Sequence, residues 1–194
     1  MKVAIVGLSS STHSQAPFGD SEWEMWGLPW DIESRYMFDR HFEMHDRNLL
    51  ELPEALRATD YWTELARFPT VYMQQHYADI PGSIEYPLDA LKETVFKGFS
   101  RWDQDDWYNS SPAYMIALAI HEGATTIGLW GIDVLDDSEF AYESPCLEYL
   151  IGIARGRGIE VIIPEGPTHL NKFRGTGIKL GTLEPVYNKR YGYV

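Results

Sequence analysis

The chain is poor in cysteine. Cys146 is the only one in 194 residues, so no internal disulfide can form. That excludes a stapled secreted scaffold and fits a reducing cytoplasm. Long apolar runs are also missing, and none approaches the roughly 20 residues of a membrane helix. The opening "MKVAIVGLSSS" has too short an apolar stretch, and no small-residue cleavage site, for a secretion signal. Positive charge is scarce, with 16 Lys and Arg against 29 Asp and Glu, for a net charge of −13. Phosphate would repel such a surface, so duplex DNA is not expected as a partner; without a spanning apolar run, a membrane is not expected either. The basic residues gather at the end. Residues 171–194 carry Lys172, Arg174, Lys179, Lys189 and Arg190 against Glu184, a tail of +4 that leaves −17 on the rest. Five spread charges suit a tail lying on the acidic body better than a nucleic-acid arm. There is no internal repeat and no low-complexity tract.

What the chain does have is core material. It is 44% hydrophobic and 14% aromatic, enough to order one domain over residues 1–194. "KVAIVG" reads as a buried first strand closed by Gly7. "SSSTHSQAPFGD" follows as a loop, and "EWEMWGLPW" as a second strand. Trp23, Trp26 and Trp30 suit a core better than a base-stacking platform. "RYMFDRHFEMHD" is ambiguous. "PEALRATDYWTELAR" reads as a helix with Leu56, Tyr61 and Leu65 near one face. "TVYMQQH" is β-rich, and "YPLDALKETVFKGF" spaces Leu88, Leu91, Val95 and Phe99 as a helix does. "SRWDQDDWYN" is a polar, aromatic connector.

The clearest stretch is "NSSPAYMIALAIHEGATTIGLWGID", residues 109–133. Ser111 is placed to cap a helix and Pro112 to open it. "AYMIALAI" is apolar on nearly all sides, Gly123 stops the helix, and "TIGLWG" is a buried strand. The pattern recurs, with Ser144 and Pro145 opening "CLEYLIGIARGRG" and "IEVIIP" as the next strand. This alternation predicts an α/β fold, a single Rossmann-like three-layer domain with a mainly parallel sheet.

In such a sheet, ligands bind outside the carboxyl ends of the strands. The loop after Gly7, the Ser110–Ser111 and Ser144 helix starts and the strand-end Asp133 are then expected along one crevice. Helix N-termini there favour an anion such as a phosphate. Gly7 with Ser9, Ser10 and Ser11 is neither the G-x-G-x-x-G fingerprint nor a P-loop, and stands between a plain turn and a phosphate contact. Asp133 stands between a loop cap and a site acid. "HFEMH" sets His41 and His45 four apart, as for two ligands on one helix. It lacks the second-position glutamate of H-E-x-x-H and a third ligand, so no metal is expected. Other cofactors are not expected either. Glu139, Glu143 and Glu148 crowd the last helix start. Glu148 is explained by the macrodipole. Glu139 and Glu143, interleaved with Phe140 and Tyr142, are candidates for an acid or base.

Residues 109–133, followed by "SEFAYESPCLEYLIGIARGRGIEVIIP", resemble a widespread family of tailed-phage proteins. More distantly, residues 108–165 resemble the small bacterial sialyltransferases that use a CMP-activated donor, and related surface-glycan-modifying proteins. The shared pattern is a serine-led helix start, "GID" at a strand end and a variable loop before the last helix. The resemblance implies a nucleotide or nucleotide sugar as partner, with Ser110, Ser111, Gly131 and Asp133 on the nucleotide side, and a location in the cytoplasm, that of the host if phage-encoded. The chain departs from that family in two places. The family's first loop is Gly-Asn-Gly-Pro-Ser, where this chain has "GLSSS". Its catalytic histidine precedes the last helix, where this chain has Glu139 and Glu143. The expectation is a nucleotide-binding, glycosyltransferase-like enzyme, with Gly7, Ser9 and Ser10 in the nucleotide loop. Its acid or base would be Glu139, Glu143 or His45. A nucleotide hydrolase or N-glycosidase of the same crevice, or a non-enzymatic nucleotide-binding module, are the alternatives.

Overall fold

The computed structural model describes residues 1–47, 60–96, 109–134, 143–165 and 170. Seven strands form one sheet: β1 (Lys2–Val6), β2 (Trp23–Gly27), β3 (Arg40–Glu43), β4 (Val71–Met73), β5 (Ser83–Glu85), β6 (Thr126–Trp130) and β7 (Glu160–Ile162). Their order is β5-β4-β3-β2-β1-β6-β7, and every pairing is parallel. The chain winds outward from β1 to β5, then returns to place β6 on the other side of β1. Such a reversal is a topological switch point. β1 lies between β2 and β6, with Val6 opposite Gly27 on one side and Trp130 on the other.

The helices are α1 (Tyr61–Leu65), α2 (Leu88–Thr94), α3 (Ser111–His121) and α4 (Ser144–Gly156). Strand periodicity divides the core. Val3 and Ile5 of β1 face the larger cluster, with Trp26, Phe42, Ile127 and Leu129 of the sheet. Ala113 to Ile120 of α3, with Leu147, Leu150, Ile151 and Ala154 of α4, cover that face. Ala4 and Val6 face the other way, against Ala16, Met25, Phe38 and Trp130. At the far end of the sheet, α1 packs Tyr61 and Leu65 on Val71 and Met73. Helix α3 is buried because its stripe is uninterrupted: Met115 to Leu118 are at most 1% exposed. At ~25 cal/mol per Å2 of apolar surface, each such large side chain contributes about 1.5–3 kcal/mol.

Four details depart from the sequence reading. The N-cap of α3 is Ser110, with Ser111 the first helical residue; α4 likewise has Glu143 at its N-cap and Ser144 inside. "RHFE" is strand β3, so His41 and His45 do not share a helix face. β5 was not expected, because its pattern is inverted: Ser83 is buried while Ile84 and Glu85 are exposed. The expected helix at 53–67 is described only from Tyr61, and Leu56 lies outside the described residues, as do Phe99, residues 100–108 of the connector and the basic tail at 171–194.

Candidate functional site

Parallel strands all end on one edge, and the switch point sits there between β1 and β6. Two glycines let these strand ends touch. Gly7 N–H donates to Trp130 O at 2.8 Å, and Ser9 N–H donates to Gly131 O at 3.0 Å. A Cβ on Gly7 would lie 2.5 Å from Gly131 O, and one on Gly131 would lie 2.5 Å from Gly7 O. Gly131 also turns the chain with φ +64, a conformation that side chains disfavour. Its N–H donates to the buried Thr12 Oγ1 at 2.8 Å. These contacts lock the first loop onto the end of β6.

Asp133 stands on this platform, three residues past β6. Its carboxylate accepts hydrogen bonds from both Ser9 Oγ and Ser11 Oγ, the latter at 2.5 Å. Charge-assisted bonds of this kind are about twice as strong as neutral ones. The serines therefore aim the acid, and are not left free for a ligand. Ser10, between them, is exposed. Val134 follows with φ +47. A β-branched residue in that region stores roughly 1–3 kcal/mol, and such strain clusters at functional sites.

Ser110 begins α3 on the same edge, since α3 descends to feed the opposite end of β6. Its backbone is extended (φ −156, ψ 150), and its side chain makes no capping bond. Ser110 Oγ is buried without a partner among the described residues. A buried hydroxyl left unpaired costs about 1–3 kcal/mol. Ser111, one place on, is half-buried. Glu143 occupies the N-cap position of α4, half-buried and without a side-chain capping bond, whereas Glu139 lies outside the described residues.

Two histidine–carboxylate pairs share this edge. His45 lies two residues beyond β3. Its Nδ1 donates to Glu43 Oε1 at 2.5 Å. Glu43 is 1% exposed. It also accepts from Trp30 Nε1 at 2.7 Å, from Tyr61 Oη and from the His45 N–H at 3.3 Å. The hydrogen bond to Glu43 holds the His45 imidazole above its ordinary pKa, against the opposing effect of burial. Burial first, and the Glu43 charge second, push the Tyr61 phenol far above its usual range. The second pair is His13 with Asp31, Nε2 to Oδ2 at 2.6 Å. Asp31 is buried and accepts the Ser34 N–H at 3.1 Å through its other oxygen. Consecutive residues thus serve both histidines: Trp30 stacks on His45, with centroids 5.2 Å apart, and Asp31 holds His13.

Of the residues singled out from sequence, Gly7, Ser9, Gly131 and Asp133 meet at the switch point. Ser10, Ser110, Ser111, Glu143 and His45 lie along the same edge. Ser11, weighed with Ser9 and Ser10 as a turn or phosphate contact, instead holds Asp133; sequence reasoning missed Thr12, His13, Asp31 and Glu43 as members of the networks. Their signal was position, since each follows or ends a strand. His41 is fully buried instead. Its Nε2 donates to Arg35 O at 2.7 Å, its ring stacks on Phe68, and burial lowers its pKa. Among the described residues, no group of three or more His, Cys, Asp or Glu could hold a metal ion. No described helix is long and apolar enough to cross a membrane. A shallow depression of about 400 Å3, lined by Met1, Lys2, Glu22, Trp23 and Asp39, lies at the opposite edge, where β1 and β2 begin. It is remote from Asp133.

No family profile matches the chain, and no curated protein matches it in sequence. Solved structures match it in fold. One is the sialyltransferase CstII from Campylobacter jejuni in complex with the substrate analogue cytidine-5′-monophosphate. It has a TM-score of 0.54 at 16% identity, over 89% of this chain and 83% of that one. A mutant of the alpha-2,3/8-sialyltransferase CstII aligns over 84% of this chain and 81% of that one, at 13% identity with a TM-score of 0.39. The seven-stranded parallel sheet of this chain thus has the fold of a sialyltransferase solved with a nucleotide.

Proposed function

We propose that this protein binds a nucleotide or nucleotide sugar at the β1/β6 switch point and acts as a glycosyltransferase-like enzyme. One observation carries the reading: Asp133, aimed by Ser9 and Ser11 at the end of β6. A carboxylate with both oxygens fixed is an acceptor for donor groups, such as ribose hydroxyls or a base amine. The start of α3, with the unpaired Ser110 Oγ, offers N–H groups and the positive end of a helix to a phosphate. The two features suit the two ends of one nucleotide. The cytidine-5′-monophosphate in the fold neighbour supports a cytidine nucleotide as first choice.

The test is a thermal-shift screen of nucleoside mono- and diphosphates and nucleotide sugars on the full chain. A ligand at ~100 times its Kd stabilises the folded state by about 2.7 kcal/mol. A pronounced rise in melting temperature with a cytidine or other nucleotide is expected. A flat response across the screen would refute the reading.

A further inference from the structure

We propose that His45 is the general base of this crevice, with Glu43 and Trp30 as the residues that position it. The inference rests on the nucleotide-sugar reading above and goes beyond it by naming the proton acceptor.

The geometry is that of an oriented base. Glu43 closes β3, so His45 emerges at the carboxyl edge that also carries Asp133. Glu43 Oε1 takes the Nδ1 proton at 2.5 Å, which leaves the imidazole lone pair on Nε2. That atom has no hydrogen bond among the described residues, and the His45 side chain is 51% exposed. Trp30 lies against the ring with planes 23° apart, which fixes its tilt. Glu43 cannot turn away, because its other oxygen holds Trp30 Nε1 and Tyr61 Oη. A purely structural acid at this place would be satisfied by Trp30, Tyr61 and the His45 backbone N–H. The imidazole is additional to that need, and it is the exposed member of the network, with Trp30 half-buried and Glu43 and Tyr61 buried.

In the transfer step, the acceptor O–H bond breaks and its proton passes to His45 Nε2. The acceptor oxygen forms the new bond to the anomeric carbon. The bond from that carbon to the nucleotide's phosphate oxygen breaks, and its electron pair leaves on that oxygen. With water as acceptor, the same step releases free sugar. Among the described residues, the cationic neighbours of the pair are themselves ion-paired. Arg35 lies 3.6 Å from Glu64, Arg47 lies 2.6 Å from Asp79, and Asp46 is the adjoining acid. Tyr61 stays neutral on Glu43, and His41 is sealed in the core. Glu43 is therefore the group that sets the proton affinity of His45.

The experiment uses the full chain and three measurements. These are imidazole titration by NMR, cytidine-5′-monophosphate affinity by calorimetry, and nucleotide release from CMP-N-acetylneuraminic acid between pH 5 and pH 9, roughly the window in which histidine titrates. His45→Gln should lose turnover by about 100-fold or more with affinity within about threefold. Glu43→Gln should lower the His45 pKa and move the acidic limb of the rate profile to lower pH. If Glu43→Gln fails to fold, His45→Gln and the wild-type limb decide alone. Turnover by His45→Gln at the wild-type rate, or a wild-type limb that does not follow the His45 titration, overturns this inference and leaves the binding reading standing. Nucleotide binding without wild-type turnover overturns it equally. No nucleotide binding at all sinks both.

Discussion

Replacing Asp133 by asparagine would exchange one carboxylate oxygen for an amide while keeping the shape of the site. In the native chain both oxygens accept a serine hydroxyl. Asparagine keeps one acceptor, and a serine hydroxyl can rotate to accept from the new NH2, so both contacts survive as neutral bonds. The loss is the charge assistance, about 1 kcal/mol for each bond. Asp133 is half-buried, and solvent screening reduces the total to about 1–2 kcal/mol. For a chain of this size that is roughly 2–8 °C in melting temperature. Binding should suffer more, because a charged acceptor facing ligand hydroxyls is replaced by a neutral one. A deficit of about 1.5–3 kcal/mol is a fall in affinity of roughly 10–100-fold. Circular-dichroism melts and calorimetry with cytidine-5′-monophosphate measure the two effects. Affinity within twofold of wild type would show that Asp133 only fastens the loop. A melting temperature lowered by far more than the roughly 8 °C estimated above would show that the acid is structural first.

Burial pushes the Cys146 thiol up to about 11, so at pH 8 it carries about two orders of magnitude less thiolate than an exposed cysteine. Iodoacetamide should label it slowly in the folded chain and rapidly in urea; equal rates would contradict the burial. His41 is held neutral by burial, with a pKa below its unfolded value. Its unfolded form binds the proton first, so stability should fall as pH drops below about 6.5. His45 has the opposite sign: its raised pKa stabilises below about 6.5, and that gain is lost as pH rises through the folded value. Urea midpoints between pH 5 and pH 9 should fall more steeply on the acid side in wild type than in His41→Gln. Parallel curves would remove His41 from the account.

The parts of the fold legible in the sequence were those where one face rule applied throughout. β1, β6 and β7 are apolar runs without competing signals, and α3 and α4 are framed by Ser-Pro and glycine. The capping position moved by one residue because Ser110 and Ser111 have the same chemistry, and only the backbone distinguishes them. β3 was obscured because it buries His41 and Glu43 where an alternating strand would carry apolar residues. His41 Nε2 is satisfied by Arg35 O and the Glu43 carboxylate by Trp30 and Tyr61, partners that no local window contains. β5 was hidden because an edge strand turns Ile84 outward. For the site, strand-end logic places Ser9, Asp133 and the helix starts on one edge. It cannot reveal that Ser9 and Ser11 spend their hydroxyls on Asp133, more than a hundred residues away. The His13–Asp31 pair was illegible for the same reason.

The position of β1 has a consequence for how the chain is made. The strand begins at Lys2, yet its neighbour β6 begins at Thr126. At about 5–20 residues per second of synthesis, β6 emerges on the order of ten seconds later. Until then β1 can pair only with β2, and an apolar strand buried from Val3 to Val6 in the finished protein presents an open row of backbone donors and acceptors. Such an edge templates association with other chains. The nascent half-sheet from β1 to β5 is thus the most adhesive form of this protein. Folding is completed by a late strand closing beside an early one, and a chain stopped short of Thr126 would leave that edge permanently open.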